Sequence, residues 1–246
     1  MDELIYPSTN PMYTPRVSSR RKKPAEKGRT PYDALRPWSA ITHGFGAVLS
    51  VFGTLLLLLH TRSGGGSVWH FATFSVYGLS MIVLYTASTL YHCLNTSVDG
   101  RITLRKIDHA SIYVLIAGTY SPICLVSLRG PWGWSLFAVI WIFAILGVFL
   151  TLIWINAPRW VTVGIYLFMG WLALIAIYPI TEVLFFRGLF WLLSGGILYT
   201  AGGILYAMKW PGRNNPRFGC HEFFHIFILL GSVCHYLLMY RVIAPA

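Results

Sequence analysis

Charged side chains are scarce in this chain of 246 residues, because only 11% of its residues are Asp, Glu, Lys or Arg while 56% are hydrophobic. Soluble domains carry roughly 25% charged residues on average. The mean hydropathy of +0.61 is also far above that of a water-soluble domain. The composition excludes an ordinary soluble fold and predicts an integral membrane protein.

Acidic residues are the rarest charged class, with 8 Asp and Glu against 19 Lys and Arg and a formal net charge of +11. Such a surplus is also typical of nucleic-acid-binding proteins, but eight of the basic residues lie within residues 1–36, including the run RRKK at 20–23. That segment has no apolar stretch of the kind a signal peptide requires. We predict that residues 1–36 form a disordered basic tail, and we expect no nucleic acid partner. The tail either contacts anionic lipid headgroups or serves only to anchor the topology.

Cysteine is infrequent as well. The four cysteines lie in or beside apolar segments, and no pair has the CxxC spacing of redox or metal motifs. We therefore predict no disulfide bonds and assign the cysteines to packing.

Long polar connections are absent from the rest of the chain. Seven windows have the ~20 mostly apolar residues that a membrane-spanning helix needs. They cover residues 40–60, 68–94, 107–128, 133–155, 160–181, 185–207 and 221–241. We predict an all-α fold in which residues 37–246 form a single seven-transmembrane helix bundle.

Lys and Arg residues are divided unevenly between the two ends of these windows, with fifteen on the side of the basic tail and four on the opposite side. Because cytoplasmic segments carry the excess of Lys and Arg, we predict that the N-terminus is cytoplasmic. After an odd number of spans, the C-terminus is then expected outside. The same orientation places Asn95 of the sequence Asn-Thr-Ser in the cytoplasm, which argues against its glycosylation.

Two pairs of glycines in the sixth window are spaced seven residues apart, Gly195 with Gly202 and Gly196 with Gly203. Residues with this spacing share one face of a helix, and small residues allow helices to approach closely in lipid. We predict close helix packing at these glycines, with a cavity wall as the alternative.

Ionisable side chains and one serine gather at the cytoplasmic ends of four windows. They are His43 in the first window, Ser88 and His92 in the second, Asp108 and His109 in the third, and His221, Glu222 and His225 in the seventh. Because ionisable groups are costly inside a membrane, they are candidates for function. The windows alternate in direction, so we expect these residues at one membrane depth.

Helical spacing indicates a metal site within this group. His221 and His225 are four residues apart and therefore share a helix face. With His92 from another span they supply three nitrogen ligands, the pattern of a zinc site that keeps one position open for water. Asp108 is suited to bind that water, and Ser88 to hydrogen-bond either Asp108 or a ligand. Imidazole ligands favour zinc but leave iron or manganese open.

The neighbouring ionisable residues are interpreted as structural. We expect His43 and His109 to be hydrogen-bonding neighbours, because a single buried histidine is more often a hydrogen-bonding group than a ligand. His235 lies ~21 Å along the helix from His221, so we expect it to bond a neighbouring helix. Glu222 completes the pattern His-Glu-x-x-His of zinc metalloproteases. It points ~100° away from His221, and we predict an interfacial or outer-shell role for it.

Four sequence blocks resemble the bacterial hemolysin III branch of the progestin and adiponectin receptor superfamily. They are THGFGA at 42–47, STLYH at 88–92, KIDHASIYVLIAGTYSP at 106–122 and FGCHEFFHIFILLGSVCHY at 218–236. In adiponectin receptors, which share this pattern, the matching histidines bind zinc and the matching aspartate approaches the zinc-bound water. The resemblance thus implies zinc ligation by His92, His221 and His225, with Asp108 at the water and Ser88 as the matching serine. One departure stands out: relatives often carry Glu and Asn before the Thr-His of the first span, where this chain has Arg36 and Ser39.

Three functions fit these observations. The first is a zinc-dependent hydrolase, ceramidase-like, that cleaves a lipid amide or ester near the cytoplasmic leaflet. The second is a regulator of membrane fluidity or energetics in which zinc is structural. The third is a pore-forming hemolysin, which we rank last because seven spans leave no plausible soluble form. In each case we expect membrane lipids as partners and a bacterial cytoplasmic membrane as the location.

Overall fold

The computed structural model describes residues 35–212, 215 and 218–245. Within these residues the chain is helical and contains no strand. The helices are α1 (Pro37–Ser63), α2 (Val68–Cys93), α3 (Val98–Pro122), α4 (Pro131–Ile153), α5 (Arg159–Trp171), α6 (Ile177–Met208) and α7 (Cys220–Leu238). The predicted all-α fold is confirmed, whereas the predicted basic tail lies outside the described residues except for its last two, Leu35 and Arg36.

Local sequence explains where several helices begin. Pro37 and Pro131 stand at the starts of α1 and α4, where proline's fixed φ suits a helix and its missing N–H is not needed. The Ser97 hydroxyl accepts a hydrogen bond from the Gly100 N–H at the start of α3, as helix-capping serines do. These residues favour the start of a helix at the observed positions.

Six helical segments of the described residues are long and apolar enough to cross a membrane. Five of these segments each match one predicted window. The remaining segment, Arg159–Met208, contains two predicted windows. Its 50 residues correspond to ~75 Å of helix, more than twice the ~30 Å of a bilayer core. The segment is interrupted by a 3-10 turn at Leu172–Ala176 and by Phe185, whose φ of 49° is not helical. The structure therefore gives six apolar segments where seven spans were predicted.

The helices pack in a closed arrangement in which α1 contacts α2 and α7, α2 contacts α3, α3 contacts α4, and α6 contacts α7. Helix α3 is the most enclosed, with 67% of its apolar window buried, against 28% for α1 and α4. Large apolar side chains such as Phe45, Phe149 and Phe186 lie exposed on the outer surface. A helical bundle with an apolar exterior is the arrangement required in lipid.

The glycines of α6 lie at close helix contacts, as predicted. A Cβ atom on Gly195 would lie 2.7 Å from the ring of His235, and one on Gly202 would lie 2.6 Å from Phe227, both on α7. On the other face of α6, a Cβ on Gly203 would lie 3.2 Å from Val163 of α5. The prediction of close packing is confirmed at these three positions.

We expect Gly202→Ala to destabilise the protein by about 1–3 kcal/mol, because the added methyl overpacks the α6–α7 contact. The matched control is Gly164→Ala, where a Cβ would meet nothing within 4 Å and alanine favours the helix. Thermal unfolding of both variants in detergent measures the difference. Equal melting temperatures for the two variants would show that α6 and α7 can separate without cost.

Candidate metal centre

Three histidines from two helices meet at one end of the bundle. His92 lies in the last turn of α2, while His221 and His225 occupy the first two turns of α7. One ligand atom from each lies within 4.8 Å of the others, and the Nε2 atoms of His92 and His221 are 3.0 Å apart. His92 and His225 are buried, and His221 is partly so. The structure brings together the three residues predicted as ligands.

The spacing of the three nitrogens suits a small cation. Zinc is bound by imidazole nitrogens at ~2.0–2.1 Å in a tetrahedral arrangement, so its ligand nitrogens stand roughly 3.3 Å from one another. The Nε2 atoms of His92 and His221 are 3.0 Å apart, close to this value, and all three ligand atoms lie within 4.8 Å of one another. Among the described residues, this is the group of His, Cys, Asp and Glu side chains that could hold a metal ion. The chemistry of the donors fits zinc, and imidazole also suits iron, copper and nickel.

The orientation of His225 is determined by two neighbours on α1. Its Nδ1 lies 3.3 Å from the carbonyl oxygen of Ser39. When Nδ1–H donates to that carbonyl, Nε2 is left free for a metal, which is how ligand histidines are usually held. The ring of His43 stacks on His225 with centroids 3.6 Å apart and planes at 18°. Neither ring nitrogen of His43 has a hydrogen-bond partner among the described residues, so His43 supports the site by stacking and not by the hydrogen bond that the sequence led us to expect. Helix α1 therefore supports a ligand that α7 supplies.

A carboxylate and a hydroxyl stand beside the histidines. The Ser88 side chain, one turn before His92, lies beside Asp108 of α3. His109 Nδ1 lies 3.5 Å from Asp108 Oδ2 and 2.9 Å from the carbonyl oxygen of Arg105. Asp108 and Ser88 line the same cavity as His221 and His225. The carboxylate thus faces the space in front of the histidines, beside a serine from α2.

Glu222 is fully buried, and its oxygens are occupied by protein donors. Arg36 Nη1 lies 3.0 Å from Oε1 and 3.3 Å from Oε2. The Ser39 hydroxyl donates to Oε1 at 3.1 Å, and the Gly219 N–H donates to Oε2 at 2.8 Å. A carboxylate with this many partners is not free to bind a water as the glutamate of a metalloprotease does. Glu222 joins the first turns of α1 and α7.

Arg36 also contacts the other helix that carries a predicted ligand. Its backbone N–H donates to the carbonyl oxygen of His92 at 3.1 Å. The start of α1 is therefore bonded both to the end of α2 and to the first turn of α7. The sequence identified Arg36 and Ser39 as departures from the family pattern, and the structure shows that both bond Glu222. No local signal could have revealed this, because the partners are more than 180 residues apart in the chain.

An elongated cavity extends from the histidines towards the middle of the bundle. Its wall is mostly apolar and comes from α3, α5, α6 and α7, with Ile112, Ile116, Leu167, Leu192 and Ile228 among its members. His235 lies at the far part of this wall, where its ring packs against Gly195 and Tyr199 of α6. Its Nδ1 makes no hydrogen bond among the described residues, so the hydrogen bond predicted to a neighbouring helix stays a prediction. The histidine group therefore stands at one end of an apolar channel.

Comparisons with known proteins identify the family of this chain. The family model "Haemolysin-III related" matches residues 36–236. "Hemolysin-3" of Bacillus cereus is 40% identical over 195 residues, which is 79% of this chain and 85% of that protein. "Hemolysin-3 homolog" of Bacillus subtilis (strain 168) is 37% identical over 209 residues, or 84% and 94% of the two chains. "Monocyte to macrophage differentiation factor" of Homo sapiens is 24% identical over 204 residues, 81% of each. The chain is thus a multi-pass integral membrane protein of a bacterial membrane, and it belongs to the haemolysin-III-related family.

Proposed function

We propose that this protein is a zinc-dependent hydrolase that cleaves an amide or ester bond of a lipid near the cytoplasmic leaflet. One observation supports the proposal above all others. Three imidazoles lie together at one end of an apolar cavity, and the carboxylate of Asp108 lines the same cavity. Imidazoles suit a catalytic zinc, and an apolar channel suits an acyl chain.

The proposal includes the orientation of the chain. Phe185 would divide Arg159–Met208 into two spans, which makes seven crossings with a cytoplasmic N-terminus and an external C-terminus. The excess of Lys and Arg on the side of the N-terminal tail supports this orientation. The histidines then lie at the depth of the cytoplasmic headgroups, where the polar linkage of a lipid is found.

Zinc bound by His92, His221 and His225 would polarise the scissile carbonyl and provide an activated water. Asp108, which lies beside Ser88, accepts the proton of the water as the water oxygen attacks the carbonyl carbon. Asp108 then returns the proton to the nitrogen or oxygen of the leaving group as the carbon–heteroatom bond breaks. The products are a fatty acid and an amine or alcohol. The apolar wall retains the acyl chain and keeps bulk water away from the site.

The test is turnover of ceramide-like and phospholipid substrates by the purified, zinc-loaded protein. We expect Asp108→Asn to retain zinc and to lower kcat by about 10²–10⁴-fold, because the amide cannot take up the proton. The control is Asp99→Asn, an exposed aspartate in the first turn of the same helix, which should keep full activity. A substrate cleaved equally well by Asp108→Asn would refute the role of Asp108.

Two other outcomes would redirect the proposal. If zinc removal lowers the melting temperature but no lipid is cleaved, zinc is structural and the protein is better described as a membrane regulator. If Glu222→Gln abolishes turnover while Asp108→Asn spares it, the two carboxylates have the opposite roles.

A further inference from the structure

The cavity in front of the histidines continues well beyond the bond that the proposed hydrolase would cleave. His225 and His235 both line it, and ten residues of helix separate them by about 15 Å along α7. The wall between them is apolar and includes Ile228 and Leu192. A hydrocarbon chain whose carbonyl faced His225 would therefore pass His235 further along its length.

Polar side chains interrupt the apolar wall at this distance. Tyr199 of α6 and His235 of α7 line the cavity, with ring centroids 5.2 Å apart. Behind them, the Ser232 hydroxyl lies 2.8 Å from the Tyr199 hydroxyl and accepts a hydrogen bond from Tyr85 at 2.7 Å. A connected set of hydroxyl groups thus reaches the cavity in the middle of the bundle.

One polar atom of this group lacks a partner. His235 is only 5% exposed, and its Nδ1 makes no hydrogen bond among the described residues. Buried polar groups are almost always hydrogen-bonded, and the membrane interior offers no bulk water to replace a missing partner. An imidazole that lines a cavity and has a ring nitrogen without a partner therefore indicates a site for a polar atom of a ligand or for an ordered water.

Tight packing holds both side chains in place. The His235 ring fills the space left by Gly195, where a Cβ would lie 2.7 Å away, and the Tyr199 ring fills the space left by Gly231, where a Cβ would lie 2.5 Å away. On each of the two helices, a glycine thus makes room for the polar side chain of the other helix. Such reciprocal packing keeps the two groups from turning away to find other partners.

We propose that Tyr199 and His235 form a polar subsite for a hydroxyl group on the hydrocarbon chain of the bound lipid, about 10–15 Å from the carbonyl that faces His225. The inference rests on the proposed function for the position of the carbonyl. A hydroxyl is the favoured group because it both donates and accepts hydrogen bonds. The tyrosine hydroxyl does the same, and the imidazole nitrogen donates or accepts according to its tautomer. The preferred substrates are then lipids with a hydroxylated chain.

The test compares the binding of stearate with that of a mid-chain hydroxystearate to the protein in lipid nanodiscs, with empty nanodiscs as the blank. Wild type should bind the hydroxylated chain about 5- to 10-fold more tightly, the difference expected for one additional hydrogen bond. His235→Phe and Tyr199→Phe should lose most of this preference and bind stearate within about threefold of wild type. Tyr113→Phe is the matched control, because it removes a hydroxyl from another buried tyrosine, which packs against Gly147, and it should keep the preference.

Binding by wild type without preference, or a preference retained in both Tyr199→Phe and His235→Phe, would overturn the subsite. Tyr199→Phe deletes a single oxygen atom and is therefore expected to fold. Its melting temperature is measured in the same experiment, so that a loss of preference is not mistaken for a folding defect. Because fatty acids are bound and not cleaved here, the result is independent of catalysis. A preference for the hydroxylated chain without turnover of any lipid would support the subsite and contradict the proposed hydrolase activity. Turnover of a lipid without such a preference would support the hydrolase activity and contradict the subsite.

Discussion

Replacing His225 with alanine is expected to lower the zinc content of the purified protein from about one ion per chain to near zero and to abolish lipid turnover with it. Loss of groups that merely support a ligand costs 10–100-fold in metal affinity, so loss of a ligand itself should cost more than about 100-fold. His225 is also the ligand that contacts Ser39 and stacks on His43.

Metal analysis and competition with a chelator measure the zinc content and the zinc affinity. His92→Ala should have the same effect, because His92 is the proposed ligand that comes from the other helix. The control is His60→Ala, which removes a histidine near the opposite end of α1 that stacks on Tyr240. Zinc binding should be unchanged in that variant. Full zinc occupancy in both His225→Ala and His92→Ala would place the metal elsewhere and remove the basis of the proposed hydrolase.

Arg36→Met is expected to destabilise the protein by about 2–3 kcal/mol, because it leaves the carboxylate of Glu222 buried without its charged partner. The loss should fall below the ~3–5 kcal/mol of fully buried pairs, since the Arg36 side chain is 32% exposed and that of Glu222 only 1%. Arg36 also stands between the two helices that carry the histidines. We therefore expect zinc affinity to fall by about 10–100-fold as well.

The double variant Arg36→Met/Glu222→Gln separates the ion pair from other effects. Removing both charges should recover most of the lost stability, because the uncompensated carboxylate is gone. A double-mutant cycle of melting temperatures gives the coupling between the two residues. Arg62→Met, which removes an exposed arginine at the other end of α1, should leave stability and zinc affinity unchanged. Strictly additive effects of the two substitutions would mean that the contact contributes nothing.

The histidine group shows how far local spacing reaches. His221 and His225 share a helix face whatever the rest of the fold does, because four residues make about one helical turn. The addition of His92 required only that alternate spans run in opposite directions, which follows from short connections between long apolar windows. The predicted group was therefore found together. The same argument could not rank His43, whose position over His225 depends on how α1 is rotated about its axis.

The segment from Arg159 to Met208 shows what apolar windows do not predict, namely the residue at which a long helix is interrupted. Hydropathy predicts two spans separated by residues 182–184, since Glu182 interrupts the apolar run. The chain instead continues as helix through this region and departs from helical geometry at Phe185. A bulky residue in that backbone conformation is uncommon, and no sequence rule would have selected it. Hydropathy averages over a window of residues, so it does not register the backbone angles of one residue within an apolar run.

By itself, the sequence determined that this is an all-α membrane protein with three histidines and a carboxylate at one end, because apolar length, charge distribution and helical spacing are properties of neighbouring residues. Only the tertiary structure decided that Glu222 is bound by Arg36 and Ser39, and that His235 lines the same cavity as His221 and His225. These contacts join residues far apart in the chain. They depend on the rotation and depth of each helix, which are determined by packing among all the helices and not by any one segment.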